Sequence, residues 1–184
     1  MIIFGFILAG FVLFWEAFKS RKGEVFETYH FQTEQADLRV TARHEFSYIF
    51  MLIPGAYYDF EGKRKTDKEW TQIYTFRHDD PIEIPKTQIR KEGEDIIYAF
   101  MGWVLISTDD GGKSWDIWDA WDDLEGWEGV NYSLIKDVII KADGSARMIL
   151  DPIGNRTQGT KELESEDFGK TWKKVDFVKL TKNW

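Results

Sequence analysis

The chain opens with an unbroken apolar run and then changes character. Residues 2–15 carry no charge and are almost wholly apolar; Glu16 is the first charge, and Lys19, Arg21 and Lys22 follow. A helix over residues 1–18 is about 27 Å long, just short of a hydrocarbon core of about 30 Å. The run has no polar face to offer water, so it reads as a membrane anchor rather than a core helix. A cleaved secretory signal needs a basic leading region and a small-x-small cleavage site. Here only Met1 precedes the run, Glu16-Ala17-Phe18 is a poor cleavage site, and Phe11 stands where Ile7-Leu8-Ala9-Gly10 would lead into a lipoprotein Cys. The expectation is an uncleaved anchor over 1–22 and one globular domain over 23–184. Basic residues follow the run and none precedes it, which by the positive-inside rule puts that domain on the cytoplasmic side.

From residue 24 the pattern is that of strands. Short runs rich in Val, Ile, Thr, Phe and Tyr are punctuated by Gly, Asp, Asn and Pro. They predict strands at 24–31, 37–43, 46–53, 69–77, 95–100, 103–108, 114–118, 134–142, 145–150, 160–165 and 171–178. Asp143-Gly144 suits the tip of a type I′ hairpin. The stretch 62–68, GKRKTDK, reads as a solvated loop. No long helical periodicity follows the anchor and no linker divides the domain, so the fold class is all-β with antiparallel sheets.

A motif recurs 57 positions apart, at Thr108 and again at Ser165. Thr108, Asp110, Gly112, Ser114 and Trp115 match Ser165, Asp167, Gly169, Thr171 and Trp172 in the order Ser/Thr-x-Asp-x-Gly-x-Ser/Thr-Trp. The hydroxyl and carboxylate are suited to take backbone N–H groups in a tight loop, and the Gly relieves the Cβ penalty where φ is positive. The motif resembles the Asp-box, or BNR repeat, of sialidases and other β-propeller proteins. That resemblance implies that the two boxes staple outer hairpins, lie away from active sites and are structural. Repeat units of this kind run about 40–50 residues, and residues 23–184 have room for about three or four. The expected architecture is an incomplete, propeller-like array with two Asp-box hairpins.

Composition narrows the function. The formal net charge of -8 argues against nucleic acid, which needs a basic footprint. The absence of cysteine excludes disulfides, thiolate metal sites and Cys nucleophiles. His30, His44 and His78 fall in no HExxH or similar context, and no Gly-x-Ser-x-Gly element is present. A sialidase resemblance calls for an Arg-Ile-Pro element, but Glu83 stands two positions before Pro85. No enzyme activity and no cofactor are expected.

The nine Trp residues are a surplus that calls for a special core or an interface. The excess length after the first box, residues 116–131, holds Trp118, Trp121 and Trp127 among Asp116, Asp119, Asp122, Asp123, Glu125 and Glu128, with no basic residue. Six carboxylates are costly to bury unpaired, and Trp is the residue most associated with binding hot spots. Trp118, Asp119, Trp121, Asp122, Asp123 and Trp127 are therefore read as a protein-binding surface for a basic partner, with core packing an equal alternative for Trp118. Carbohydrate stacking comes second. A calcium loop comes third, because the EF-hand spacing is missing.

The order of elements over the C-terminal half is similar to bacterial immunity proteins that protect against type VI secretion lipase effectors. It runs from Ile96-Ile97-Tyr98-Ala99-Phe100 and Trp103 through Trp115, Ile135-Lys136-Asp137-Val138, Asp143-Gly144 and Met148-Ile149-Leu150 to Leu163 and Asp167–Trp172. The resemblance implies a non-enzymatic role, in which the protein binds one secreted lipase-type toxin and occludes it. It also implies periplasmic exposure at the inner membrane, the opposite side from the charge count. A membrane-anchored assembly factor and a carbohydrate-binding module are the other readings.

Overall fold

The computed structural model describes residues 21–46, 55–79, 82–123, 133–152 and 160–175. Among them, three antiparallel sheets of four strands account for nearly all regular structure. The first sheet holds β1 (Arg21–Gln32), β2 (Ala36–Phe46), β3 (Ala56–Arg64) and β4 (Thr71–His78). The second holds β5 (Ile89–Glu92), β6 (Ile96–Met101), β7 (Val104–Thr108) and β8 (Asp116–Asp119). The third holds β9 (Ser133–Ile140), β10 (Ala146–Pro152), β11 (Lys161–Ser165) and β12 (Lys173–Lys174). Each sheet is a simple meander in chain order. A four-residue helix, α1 (Ala120–Asp123), follows β8.

The second sheet is the middle layer, which explains its composition. Every residue of β6 and β7 is buried. Successive side chains point to opposite faces, so a sheet covered on both sides reads as an unbroken apolar run. Tyr98, Phe100 and Leu105 pack with Met148, Leu150 and Leu163 of the third sheet. Ala99, Met101, Val104 and Ile106 pack with Leu38, Val40, Tyr58 and Phe60 of the first. The outer sheets alternate instead. In β3, Ala56, Tyr58 and Phe60 face inward, while Asp59 and Glu61 face out into ion pairs.

The charges on the outward faces are paired with one another. Arg39 forks onto Glu61 through two bonds of 2.7 Å. Asp59 accepts from Lys22 and from the Thr75 hydroxyl, with Arg43 at 3.4 Å. On the third sheet Arg147 forks onto Glu162, at 2.6 and 3.2 Å. These part-buried, partly forked pairs hold their charges in fixed geometry and keep an end sheet wettable.

Strand direction divides the stack into two ends. The turns 33–35, 65–70, 93–95, 109–115, 141–145 and 166–172 lie at one end. The strand termini joined through 47–55, 79–88, 102–103, 120–132 and 153–160 lie at the other. Contacts between sheets fix this common orientation. At the first end Gly112 packs on Ala36, and Lys170 reaches Asp109 at 3.0 Å. At the second end Trp103 stacks on His78 at 5.3 Å, and Ile135 N–H donates to the Gly102 carbonyl at 2.7 Å.

Several expectations need correction. The stretch 62–68 is not all loop: its first three residues close β3, a strand that the apolar run at 46–53 concealed. The short β5, with one buried residue in four, falls outside every strand the pattern predicts. The turn at Asp143-Gly144 is not type I′, which needs two positive φ angles. Only Gly144 has one, at 87°; Lys141 N–H closes the hairpin on Ser145, and the Asp143 carboxylate holds the Ser145 N–H at 2.9 Å. The helix expected over 1–18 and most of the strand expected at 46–53 lie outside the described residues. No helix among the described residues is long and apolar enough to cross a membrane.

Candidate functional site

The two repeat loops are built alike. In the first, joining β7 to β8, buried Thr108 shares its hydroxyl with Asp110 at 2.8 Å and accepts the Gly112 N–H at 3.0 Å. Asp110 accepts the N–H groups of Lys113 and Ser114, at 2.9 and 3.0 Å, and the Ser114 hydroxyl at 2.7 Å. In the second, joining β11 to β12, Ser165 bonds Asp167 at 2.6 Å and accepts the Gly169 N–H at 3.0 Å. Asp167 then takes the Thr171 N–H at 2.9 Å and its hydroxyl at 2.6 Å. Gly112 and Gly169 have φ of 82° and 84°, where a Cβ is strained.

Electrostatics follow from this wiring. Burial pushes the Asp110 carboxyl up, but the donors from Ser114, Thr108 and Lys113 outweigh it and hold the pKa at about 2. Burial opposes the same lowering at Asp167, where the Ser165 and Thr171 donors win. Both carboxylates are ionised and consumed by their own loops.

Each loop also binds outward. Gly111 N–H donates to Asp95 and Phe168 N–H to Gly144, both at 2.9 Å, so each loop is tied to the neighbouring turn of its own sheet. Phe168 is the one non-glycine among the described residues with positive φ, at 60°. The Trp of each loop then wedges toward the preceding sheet. Trp115 lies over Gly62 of β3, and Trp172 packs on Trp118 of the second sheet. The Trp172 N–H donates to the Gly169 carbonyl at 2.8 Å. Lys170 spans to Asp109 and Asp116, at 3.0 and 3.4 Å.

A third loop holds the same position without the repeated motif. The β3–β4 loop ties its Lys65 N–H to Gln35 at 2.9 Å and ends on Trp70, immediately before β4. Its hydroxyl–carboxylate pair is replaced by Arg64 forked onto Asp67, at 2.8 and 2.9 Å. Among the described residues no sheet precedes the first one, and Trp70 instead lies under the Arg39 guanidinium at 4.5 Å. A Trp just ahead of a strand was the available signal.

The acidic, Trp-rich segment starts at the repeat-loop end with β8 and runs to the other end. Its residues separate into two groups. Trp118 is 6 % exposed and packs on Trp172 with ring centres 6.0 Å apart. Its reading as a partner anchor is therefore corrected: the register opposite Leu105 turns its indole into the core between the second and third sheets. Asp119 accepts the Tyr74 hydroxyl at 2.9 Å, and burial together with that carboxylate pushes the Tyr74 pKa up to about 12. Asp116 pairs with Lys170. Asp122 is exposed on α1. Trp121 and Asp123 are also on α1, while Trp127 lies outside the described residues.

Two other features bear on chemistry. All three histidines rest on aromatic rings: His30 on Trp70, His44 on Phe26 and His78 on Trp103. An open groove of about 910 Å³ crosses the outward face of the third sheet, beside the second repeat loop, and among the described residues it is lined by Ile139, Arg147, Glu164 and Lys173 with others, none of them aromatic. No known family model and no curated protein matches this sequence.

Proposed function

We propose that the protein is a non-enzymatic binding protein of the Asp-box, propeller-like type, anchored in a bacterial inner membrane by residues 1–18. In this reading it neutralises a secreted lipase-type toxin on the periplasmic side. The three sheets serve as an incomplete set of blades, and the two boxes serve as staples. One observation carries the reading: the box carboxylates are spent on their own backbone, at the end of the stack away from α1 and its exposed Asp122. The surface offered to a partner is then α1 with the residues that follow it, Trp121, Asp122, Asp123 and Trp127. Their carboxylates would steer a basic partner toward them.

The test is direct. Full-length protein is titrated against each lipase-type effector secreted by bacteria that compete with its host. Loss of phospholipid hydrolysis at equimolar protein, with a complex on gel filtration, supports the assignment. Undiminished hydrolysis with every effector sinks it. A membrane complex that co-purifies with the chain would favour the assembly-factor reading instead.

A further inference from the structure

The β1–β2 ladder pairs Arg21 with Phe46, the first residue of one strand with the last of the next. Adjacent strands lie about 4.8 Å apart. Two apolar stretches of sequence therefore join the first sheet side by side at one end. Residues 2–15 lead into β1, and residues 47–53, SYIFMLI, lead out of β2 without a single charge. The described residues at this end continue the theme. Val25 and Phe26 are 46 % and 36 % exposed, and they are the one adjacent pair among the exposed large apolar side chains described. Register shifts at Lys22/Val25 and Val25/Glu27 break the pleat there, as bulges do, and this leaves both neighbours open to solvent. Phe26 is braced against the His44 ring at 4.5 Å. Lys22 and Arg43 flank the pair, and both are engaged by the Asp59 carboxylate.

We propose that this end of the first sheet rests on a lipid bilayer, with Val25 and Phe26 in the headgroup region. The inference rests on the membrane anchoring proposed above and adds an orientation to it. Apolar side chains held beside an anchor lose water by entering the interface. The bilayer is preferred over a protein occupant because of chain continuity. Arg21 follows the end of the apolar run by six residues, a reach of at most about 20 Å. The second sheet carries α1 at this same end, so a partner bound there would be held beside the membrane surface.

The absence of cysteine makes the test clean. Full-length Phe26→Cys and Ile139→Cys proteins are each labelled with an environment-sensitive fluorophore and mixed with vesicles of phosphatidylcholine and phosphatidylglycerol. Ile139 is the control, because it is exposed on the outward face of the third sheet. Flotation reads anchoring, and nitroxide-bearing lipids read proximity. The expected result is several-fold stronger quenching at position 26 than at 139. Protein that floats with position 26 no more quenched than 139 overturns the docking and leaves the anchor standing. Protein that does not float overturns both. Val25→Cys provides a second site if the Phe26 substitution lowers the melting temperature.

Discussion

The Trp115 indole closes so tightly over Gly62 that a Cβ on that glycine would lie 2.7 Å from the ring nitrogen. The two residues belong to different sheets, 53 positions apart in sequence (Gly62 against Trp115). Gly62 has no positive φ, so its lack of a side chain serves this approach rather than a turn. Gly62→Ala is expected to cost about 1–3 kcal/mol through overpacking. Trp115→Ala in the same chain should relieve that penalty. Urea unfolding of the single and double variants checks it; two costs that simply add would mean that the residues do not meet.

Trp118 and Trp172 share the other inter-sheet core. Truncating either to Ala removes a large buried aromatic, at a typical cost of about 3–5 kcal/mol. Because they touch, the double variant should cost less than the two singles together. Thermal melts of the three variants test this. An unchanged melting temperature for Trp118→Ala would return that residue to the surface.

How far the sequence foretold this arrangement depended on how local the physics was. The repeat loops were legible because their chemistry closes within eight residues, from Thr108 to Trp115 and from Ser165 to Trp172. Trp118 stood evenly between core and surface, because its burial is decided by which β7 residue it faces, and only the folded register supplies that. β3 alternates apolar and polar residues from Ala56 to Glu61, yet the stronger apolar run just before it drew the strand prediction away. The loop at Trp70 was hidden because Arg64 and Asp67 replace a hydroxyl–carboxylate pair with an ion pair.

Acid should loosen the first repeat loop in a defined window. The folded-state pKa of Asp110 is held at about 2, below its ordinary value of 3.8. A depressed carboxyl pKa contributes stability that is fully present above the unfolded value and is lost as pH falls through the folded one. The difference in urea midpoint between the wild type and Asp110→Asn should therefore be constant above about pH 5 and shrink toward pH 2. A gap that does not change with pH would show that the Asp110 charge contributes nothing to the loop.

Asp119 and Asp122 stand three residues apart and are expected to behave oppositely. Asp119 is engaged inside the protein by the Tyr74 hydroxyl, a bond that ties β4 of the first sheet to β8 of the second. Tyr74→Phe deletes that donor and leaves a half-buried carboxylate one bond short, an expected loss of about 1–3 kcal/mol. The melting temperature should fall while association with a basic partner stays near its original rate. Asp122 is exposed on α1 and has no such structural role in the proposed reading. Asp122→Asn should leave the melting temperature unchanged and slow association at low ionic strength, with the difference from wild type fading as salt is raised. Stopped-flow association at two salt concentrations, alongside thermal melts, separates the two roles. If Asp122→Asn destabilises the fold and leaves the association rate untouched at low salt, α1 is packing rather than interface and the binding surface lies elsewhere.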